Sequence, residues 1–385
     1  MIKKQKILII VEWFAPGFKA GGPIQSCVNM CIALKDTYDI YVLTTNTDHG
    51  ETAPYNDVIT NKWHLHKSTG VKVFYGEKNN FSFSQMAKEI KSVDADFNYL
   101  NLFFSPQFVL FPLWLKFINK IKGAVIICPR GTLYDSALSL KAYKKKPLLL
   151  LLKWIKISTK ILFHATNKRE ANTISKYFPN SKIIIADNLP NTYQKEFTSC
   201  NKNVGELSCI FIARIVPIKN LLFLLNLMAD LKQHVLLTIV GPVEDDNYWL
   251  ECKRAIDQLP NTIKIKFLGP IPNDQLNTLI QQHHIFILPT TGENFGHAIF
   301  ESLLAGRPVL ISDQTPWLDL DACSAGWVLP LSKPNHFISV LNKVANFNQA
   351  EFDKHASAAW KYANRFITNP EILKPYLQLF NKSAA

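Results

Sequence analysis

The 385-residue sequence lacks a cysteine framework. Its seven cysteines, at 27, 31, 128, 200, 209, 252 and 323, are odd in number and include no CxxC pair. They read as reduced thiols in a reducing compartment, which excludes a disulfide-stapled scaffold and a zinc ribbon. HExxH, GxGxxG and GxxxxGK[ST] are all missing. Asp94-Ala95-Asp96 has the letters of a DxD triplet but reads as a solvated turn before a strand, so no metal site is expected. No apolar run reaches the ~18 residues that a spanning helix needs. The opening run ILIIV is too short for a signal-peptide core and reads as a buried first strand. Glycine (15) and proline (21) are too few for a collagenous or low-complexity chain. Acidic residues are scarce on one side only. Residues 1–195 hold 27 Lys/Arg against 13 Asp/Glu, and the rest hold 16 against 17. From Phe97 to Arg169 the one acid is Asp135, against 13 basic residues. Such a field favours an anionic partner.

Hydrophobic residues make up 48% and charged residues 19%, the balance of a folded protein with room for two domains. Short apolar runs at Lys6-Val11, Asp39-Thr44, Phe97-Phe103, Ala124-Cys128, Ile161-Ala165 and Lys182-Ala186 alternate with helical stretches. The rhythm repeats at Ser208-Ala213, Val235-Val240, Ile263-Leu268, Ile285-Leu288 and Pro308-Ser312, with helices at Asn220-Lys232 and Phe295-Ala305 among those between. Alternation of this kind predicts parallel α/β sheets. We therefore expect two doubly wound Rossmann-like domains facing across a cleft, over residues 1–195 and 196–365. A C-terminal helix at about 366–385 should pack back on the first.

Three segments carry candidate chemistry. Thr290–Glu301 (TTGENFGHAIFE) joins a buried strand to a helix, whose first amides can bind an anion. Glu293 and Glu301 would lie about 80° apart on one helix, so Glu293 reads better in the loop and Glu301 one to two turns down. Two carboxylates at different depths can accept from a polyol's hydroxyls; a helix-start charge and a surface residue are the plain alternative. Arg214 and Lys219 follow a central strand in ARIVPIKN, where two cations suit a diphosphate or form a solvated pair. Gly21-Gly22 in the first strand-to-helix loop lets bare backbone approach a ligand, or makes a turn. A fourth segment, Lys141 to Arg169, holds nine basic residues, five consecutive leucines and Trp154, and fits a helix on an anionic membrane surface or a buried helix beside solvated lysines. No nucleic-acid motif is present.

ARIVPIKN followed some eighty residues later by GENFGHAIFE resembles the C-terminal domain of family 4 retaining glycosyltransferases, of GT-B fold. The first-loop glycine pair is similar to the family's N-terminal glycine loop. The resemblance implies that Glu301 binds the nucleotide ribose and that Glu293 with the amides of Asn294, Phe295 and Gly296 holds the donor sugar. Arg214 and Lys219 would neutralise the diphosphate, with Gly21 and Gly22 approaching it. Glu293, Arg214 and Lys219 would be the catalytic residues. Where many members carry a His-Gly pair, this chain has Arg130-Gly131, placed on the acceptor or donor-sugar side; arginine cannot act as a base. His164 is a second candidate by position, with a packed histidine the plainer reading.

The implied activity is a metal-independent, retaining hexosyltransferase (EC 2.4) without a cofactor. It would take a nucleoside-diphosphate sugar, UDP- or GDP-linked first, and a glycan or lipid-linked glycan acceptor. The setting would be bacterial lipopolysaccharide, capsule or exopolysaccharide assembly, cytoplasmic and peripheral at the inner face of the membrane, with no nucleic-acid partner. The rivals are a sugar-nucleotide epimerase of the same fold and a non-catalytic membrane-surface partner.

Overall fold

The computed structural model describes residues 3–139, 142–190 and 196–381. Lys141 of the basic segment, and residues 191–195 on which the expected domain boundary falls, lie outside the described residues. The chain divides into two compact units, Met1–Leu189 with Pro370–Ala385, and Pro190–Asn369.

The first unit is built on eight strands. They are β1 (Lys6–Ile10), β2 (Asp39–Thr45), β3 (Trp63–Leu65), β4 (Lys72–Gly76), β5 (Phe97–Asn101), β6 (Ala124–Cys128), β7 (Leu162–Ala165) and β8 (Lys182–Ile185). Their order is β3-β4-β2-β1-β5-β6-β7-β8, parallel throughout except β3 against β4. In the central strand β1, Ile7 pairs with Phe97 and Ile9 with Tyr99. Helices cover both faces of such a sheet, which is why β1 reads as a continuous apolar run. Two cores follow, one on each face. Tyr376, Leu379 and Phe380 of the last helical segment belong to one of them.

The second unit holds β9 (Glu206–Ile212), β10 (His234–Val240), β11 (Ile263–Gly269), β12 (Ile285–Leu288), β13 (Val309–Ser312) and β14 (Gly326–Leu329). All are parallel, in the order β11-β10-β9-β12-β13-β14. This is the doubly wound order in which the chain starts in the middle, builds one edge and then returns to build the other. The long helix Gln349–Ile367 starts from a reciprocal capping box between Asn348 and Glu351. Its buried Phe352, Ala356, Ala359 and Ala363 lie on one face, and the helix packs on His297–Leu304.

Strands β3, β4 and β14 are not among the runs the sequence singles out. Each is three to five residues long, and β3 is an antiparallel edge strand whose Leu65 is exposed. The helices beside the glycine and asparagine turns are shorter than their apolar runs suggest. Asn220 stands in the left-handed region (φ 60°, ψ 39°), so its helix, Leu221–Met228, starts only after it. Gly296 does the same at φ 80° before His297–Leu304.

Candidate active site

The two halves of the second sheet diverge between β9 and β12, because β9 connects onward to β10 and β12 to β13. The carboxyl ends of two such strands flank the crevice where doubly wound sheets take their ligands. The loop after β9 carries Arg214 and Lys219; the loop after β12 carries Glu293. These loops are tied together directly. Ile218 O accepts from Thr290 Oγ1 (2.8 Å) and from the Thr291 amide (2.9 Å), and Asn220 Nδ2 donates to Pro289 O (3.0 Å). Ser312 Oγ, at the end of β13, donates to Thr290 O (2.5 Å).

This stitching brings Lys219 Nζ within 2.5 Å of Glu293 Oε2. The side chains are 14% and 17% exposed, so the pair is mostly out of water. Burial pushes the Glu293 carboxyl up, but the Lys219 ammonium, the Asn294 amide at 3.0 Å and His297 outweigh it, and the net shift is downward. Glu293 is therefore an anion at neutral pH. Its main chain is fixed as well, the amide donating to Gln314 O (3.0 Å). Gly296 cannot be replaced cheaply, because at its positive φ a Cβ would come within 2.7 Å of Ile299 Cδ1 and 3.2 Å of Glu293 Cγ.

The Phe295 ring is buried against His297, Phe300 and Trp317, and Trp317 Nε1 donates to Phe295 O. The loop is thus anchored by an aromatic cluster under it. Glu301 is the fifth residue of His297–Leu304, half-buried, on the helix that Gln349–Ile367 packs against.

Arg214 takes a different partner. Its Nη1 lies 2.7 Å from Glu244 Oε2, in the loop after β10, and the arginine is more exposed than Lys219. Close contact between these two loops depends on Gly241, where a Cβ would lie 1.9 Å from Ala213 O. Sequence reading missed Glu244; its place just beyond a strand's Gly-Pro end was the available signal.

In the first unit, Gly21 caps the helix Gly22–Leu34, with Pro23 in its first turn. The loop before it is held by Asp48, a buried carboxylate that accepts from the Phe18 amide (2.8 Å) and the Lys19 amide (3.1 Å). Arg130 and Gly131 both lie in the left-handed region (φ 49° and 77°). The Arg130 guanidinium is turned into the fold, donating to Asn101 Oδ1, Asn188 Oδ1 and Tyr99 Oη. The Gly131 amide donates to Glu170 Oε1 (2.5 Å), while the Thr166 amide and hydroxyl hold Oε2. The second candidate, His164, is fully buried between Tyr99 Oη (2.8 Å) and Ala186 O (2.7 Å). Burial and the nearby Arg130 charge push its pKa down to about 3, so it is a neutral packed histidine.

Burial also pushes up the thiols of Cys27, Cys31, Cys128, Cys209 and Cys252, and all seven cysteines are free. Among the described residues, no three His, Cys, Asp or Glu side chains are grouped as metal ligands would be. No helix among them is long and apolar enough to cross a membrane.

Residues 192–344 match the family glycosyl transferases group 1. No curated protein matches the chain in sequence. Solved structures match it over nearly its whole length. A sucrose-phosphate synthase from Thermosynechococcus elongatus is 15% identical, with a TM-score of 0.71 and 98% of each chain covered. Anabaena HepE, in complex with UDP and glucose, is 16% identical at a TM-score of 0.68, covering 97% of this chain and 98% of its own. WaaG, a glycosyltransferase involved in lipopolysaccharide biosynthesis, is 14% identical at 0.62, with 98% of each chain covered. At these identities the likeness is one of fold. The chain has the two-unit α/β fold of GT-B glycosyltransferases, and the stretch of its second unit from 192 to 344 is similar to glycosyl transferases group 1.

Proposed function

We propose that the protein transfers a sugar from a nucleoside diphosphate to a glycan or lipid-linked glycan, with retention of configuration and without a metal. The observation that carries this reading is the Lys219–Glu293 pair at the switch point of the second sheet, inside the segment that matches glycosyl transferases group 1. HepE holds UDP and glucose in its structure, which supports a nucleotide-sugar donor. In this reading Lys219 and Arg214 take up the charge of the leaving diphosphate. Preorganised cations are worth most in a site shielded from water, and Lys219 is so placed. Glu293, ionised and held from both sides, orients the donor sugar with the Asn294, Phe295 and Gly296 backbone. Glu301 accepts from the ribose hydroxyls. The first unit takes the acceptor.

The basic segment supports work at a membrane surface. The helix Ala142–Trp154 buries Leu149 and Leu152 and exposes Tyr143, Leu150, Leu151 and Trp154. With Pro147, the exposed residues fall at helical spacing along one stripe, flanked by the exposed Lys144, Lys146 and Lys153. An apolar stripe edged by lysines suits the inner face of an anionic membrane, where bacterial surface polysaccharides are assembled.

A thermal-shift series with UDP-, GDP-, ADP-, dTDP- and CMP-linked sugars tests the donor, since a ligand of the native state raises the melting temperature by mass action. One nucleotide class should stabilise the protein. NMR of the product then reads the anomeric configuration, and turnover in EDTA reads the metal requirement. No stabilisation by any nucleotide, or an inverted product, would overturn the reading.

A further inference from the structure

The first sheet has a switch point of its own, between β1 and β5, and the donor reading leaves its residues unused. The chain leaves β1 toward β2 on one side and β5 toward β6 on the other, so the carboxyl ends of these central strands open on the same kind of crevice. Glu12 stands two residues beyond β1 and Ser105 four beyond β5. Ser105 Oγ donates to Glu12 Oε2 at 3.3 Å, across the divide. The main chain here is rigid: Glu12 O accepts from Thr45 Oγ1 (2.7 Å), Thr44 Oγ1 (3.1 Å) and the Thr45 amide (3.3 Å). The next residue, Trp13, is half-buried and braced edge-on by His49, with ring centres 4.6 Å apart. Burial pushes the Glu12 carboxyl up against the opposing pull of Ser105, Lys78 and His49.

A fixed carboxylate, the hydroxyl bonded to it across the strand divide and the aromatic ring of the next residue suit a sugar ring. The carboxylate and hydroxyl bond to ring hydroxyls, and the indole covers the C–H face. A carboxylate at this spot disfavours a phosphate. We propose that Glu12, Ser105 and Trp13 form a saccharide subsite that binds a neutral hexose unit of the acceptor. The proposal deepens the transferase reading and rests on it.

Saturation-transfer NMR on the full chain tests it, with the methyl glycosides of glucose, galactose, mannose and N-acetylglucosamine as probes, with and without UDP. The wild type should bind at least one. Glu12→Ala and Trp13→Ala should each weaken that binding by about tenfold or more, as expected when a charged hydrogen-bonding partner or a stacking face is removed. Glu12→Gln, which keeps the shape, should fall between, and the UDP affinity of all three should stay at the wild-type value. Melting temperatures identify any variant that fails to fold, and Glu12→Gln then carries the test. Wild-type saccharide affinity in folded variants would overturn the subsite, as would a wild type that binds UDP but no glycoside. A wild type that binds neither would overturn the transferase reading along with it.

Discussion

Arg214 and Lys219 are five residues apart, yet they face different counter-ions. Glu244 holds the first in a half-exposed pair, and Glu293 holds the second in a shielded one. In the proposed reaction, a diphosphate arriving at the site would compete with both carboxylates. Arg214→Ala should therefore lower turnover by about 10²-fold or more, as loss of one preorganised charge donor does elsewhere, while leaving the melting temperature nearly unchanged. Steady-state kinetics within a few-fold of wild type would remove Arg214 from the clamp. The two glutamates should separate in kinetics. Glu301→Gln should chiefly raise KM, because ribose contacts are shared by ground and transition states, and Glu293→Gln should chiefly lower kcat. A Glu301 effect confined to kcat would mean their roles are exchanged.

The Lys219–Glu293 pair also has a pH signature. The Glu293 carboxyl is held below its ordinary value in the folded protein, although burial alone would raise it. Its contribution to stability is then complete above the unfolded carboxylate pKa of about 4.3 and disappears as pH falls through the lower folded value. Urea unfolding of wild type and Glu293→Gln should differ by a constant amount from neutral pH down to about pH 5, and converge in stronger acid. The difference should stay below the roughly 3–5 kcal/mol of a fully buried broken pair, because both groups retain some contact with water. Equal stabilities at neutral pH would show that the pair contributes nothing net.

At the scale of elements, the helix Ala142–Trp154 separates two readings that its sequence leaves open. Five consecutive leucines suggest either a membrane face or a core, and the structure divides them between inward Leu149 and Leu152, half-buried Leu148, and outward Leu150 and Leu151. The lysines divide too. Lys145 Nζ donates to Ala137 O (2.6 Å) and lies over the Phe104 ring, whereas Lys144 and Lys146 are exposed. Neutralising Lys144 and Lys146 should thus weaken sedimentation with anionic liposomes, each contributing about 1 kcal/mol near such a surface. Leu151→Ser with Trp154→Ser should weaken the part that survives 1 M salt, where the Debye length is only ~3 Å. Pelleting that is negligible with both anionic and neutral liposomes would leave the stripe without a membrane role.

Apolar runs locate the buried central strands because parallel sheets cover them on both faces, as with Ile7–Ile10 and Ile285–Leu288. Three-residue β3 has no such signature. The loop position of Glu293 follows from strand-then-helix order, but its pairing with Lys219, seventy-four residues away, depends on Thr290 and Asn220 stitching two loops. No periodicity encodes that. Nor does local sequence reveal that the Arg130 guanidinium turns inward to Asn101 and Asn188, since the first ends β5 and the second lies three residues beyond β8, both distant in sequence.

For the whole molecule, the first unit is discontinuous and the second is not. Tyr376 Oη donates to Asp187 O (2.9 Å), and Phe380 packs on Tyr38, Phe97 and Tyr99. Phe380→Ala should cost the first unit about 3–5 kcal/mol, the usual range for a fully buried phenylalanine, and leave the second unit's transition in place. Calorimetry resolving two transitions would check it; a shift in both, or in neither, would contradict the assignment. During synthesis this arrangement reverses the customary order. Domains generally fold as they emerge, the first before the second. Here the ribosome completes every residue of the second unit before it makes the aromatic plug of the first. Until Phe380 emerges, a nascent first unit exposes the apolar surface around Tyr38 and Phe97, and for that interval it is a natural client for chaperones.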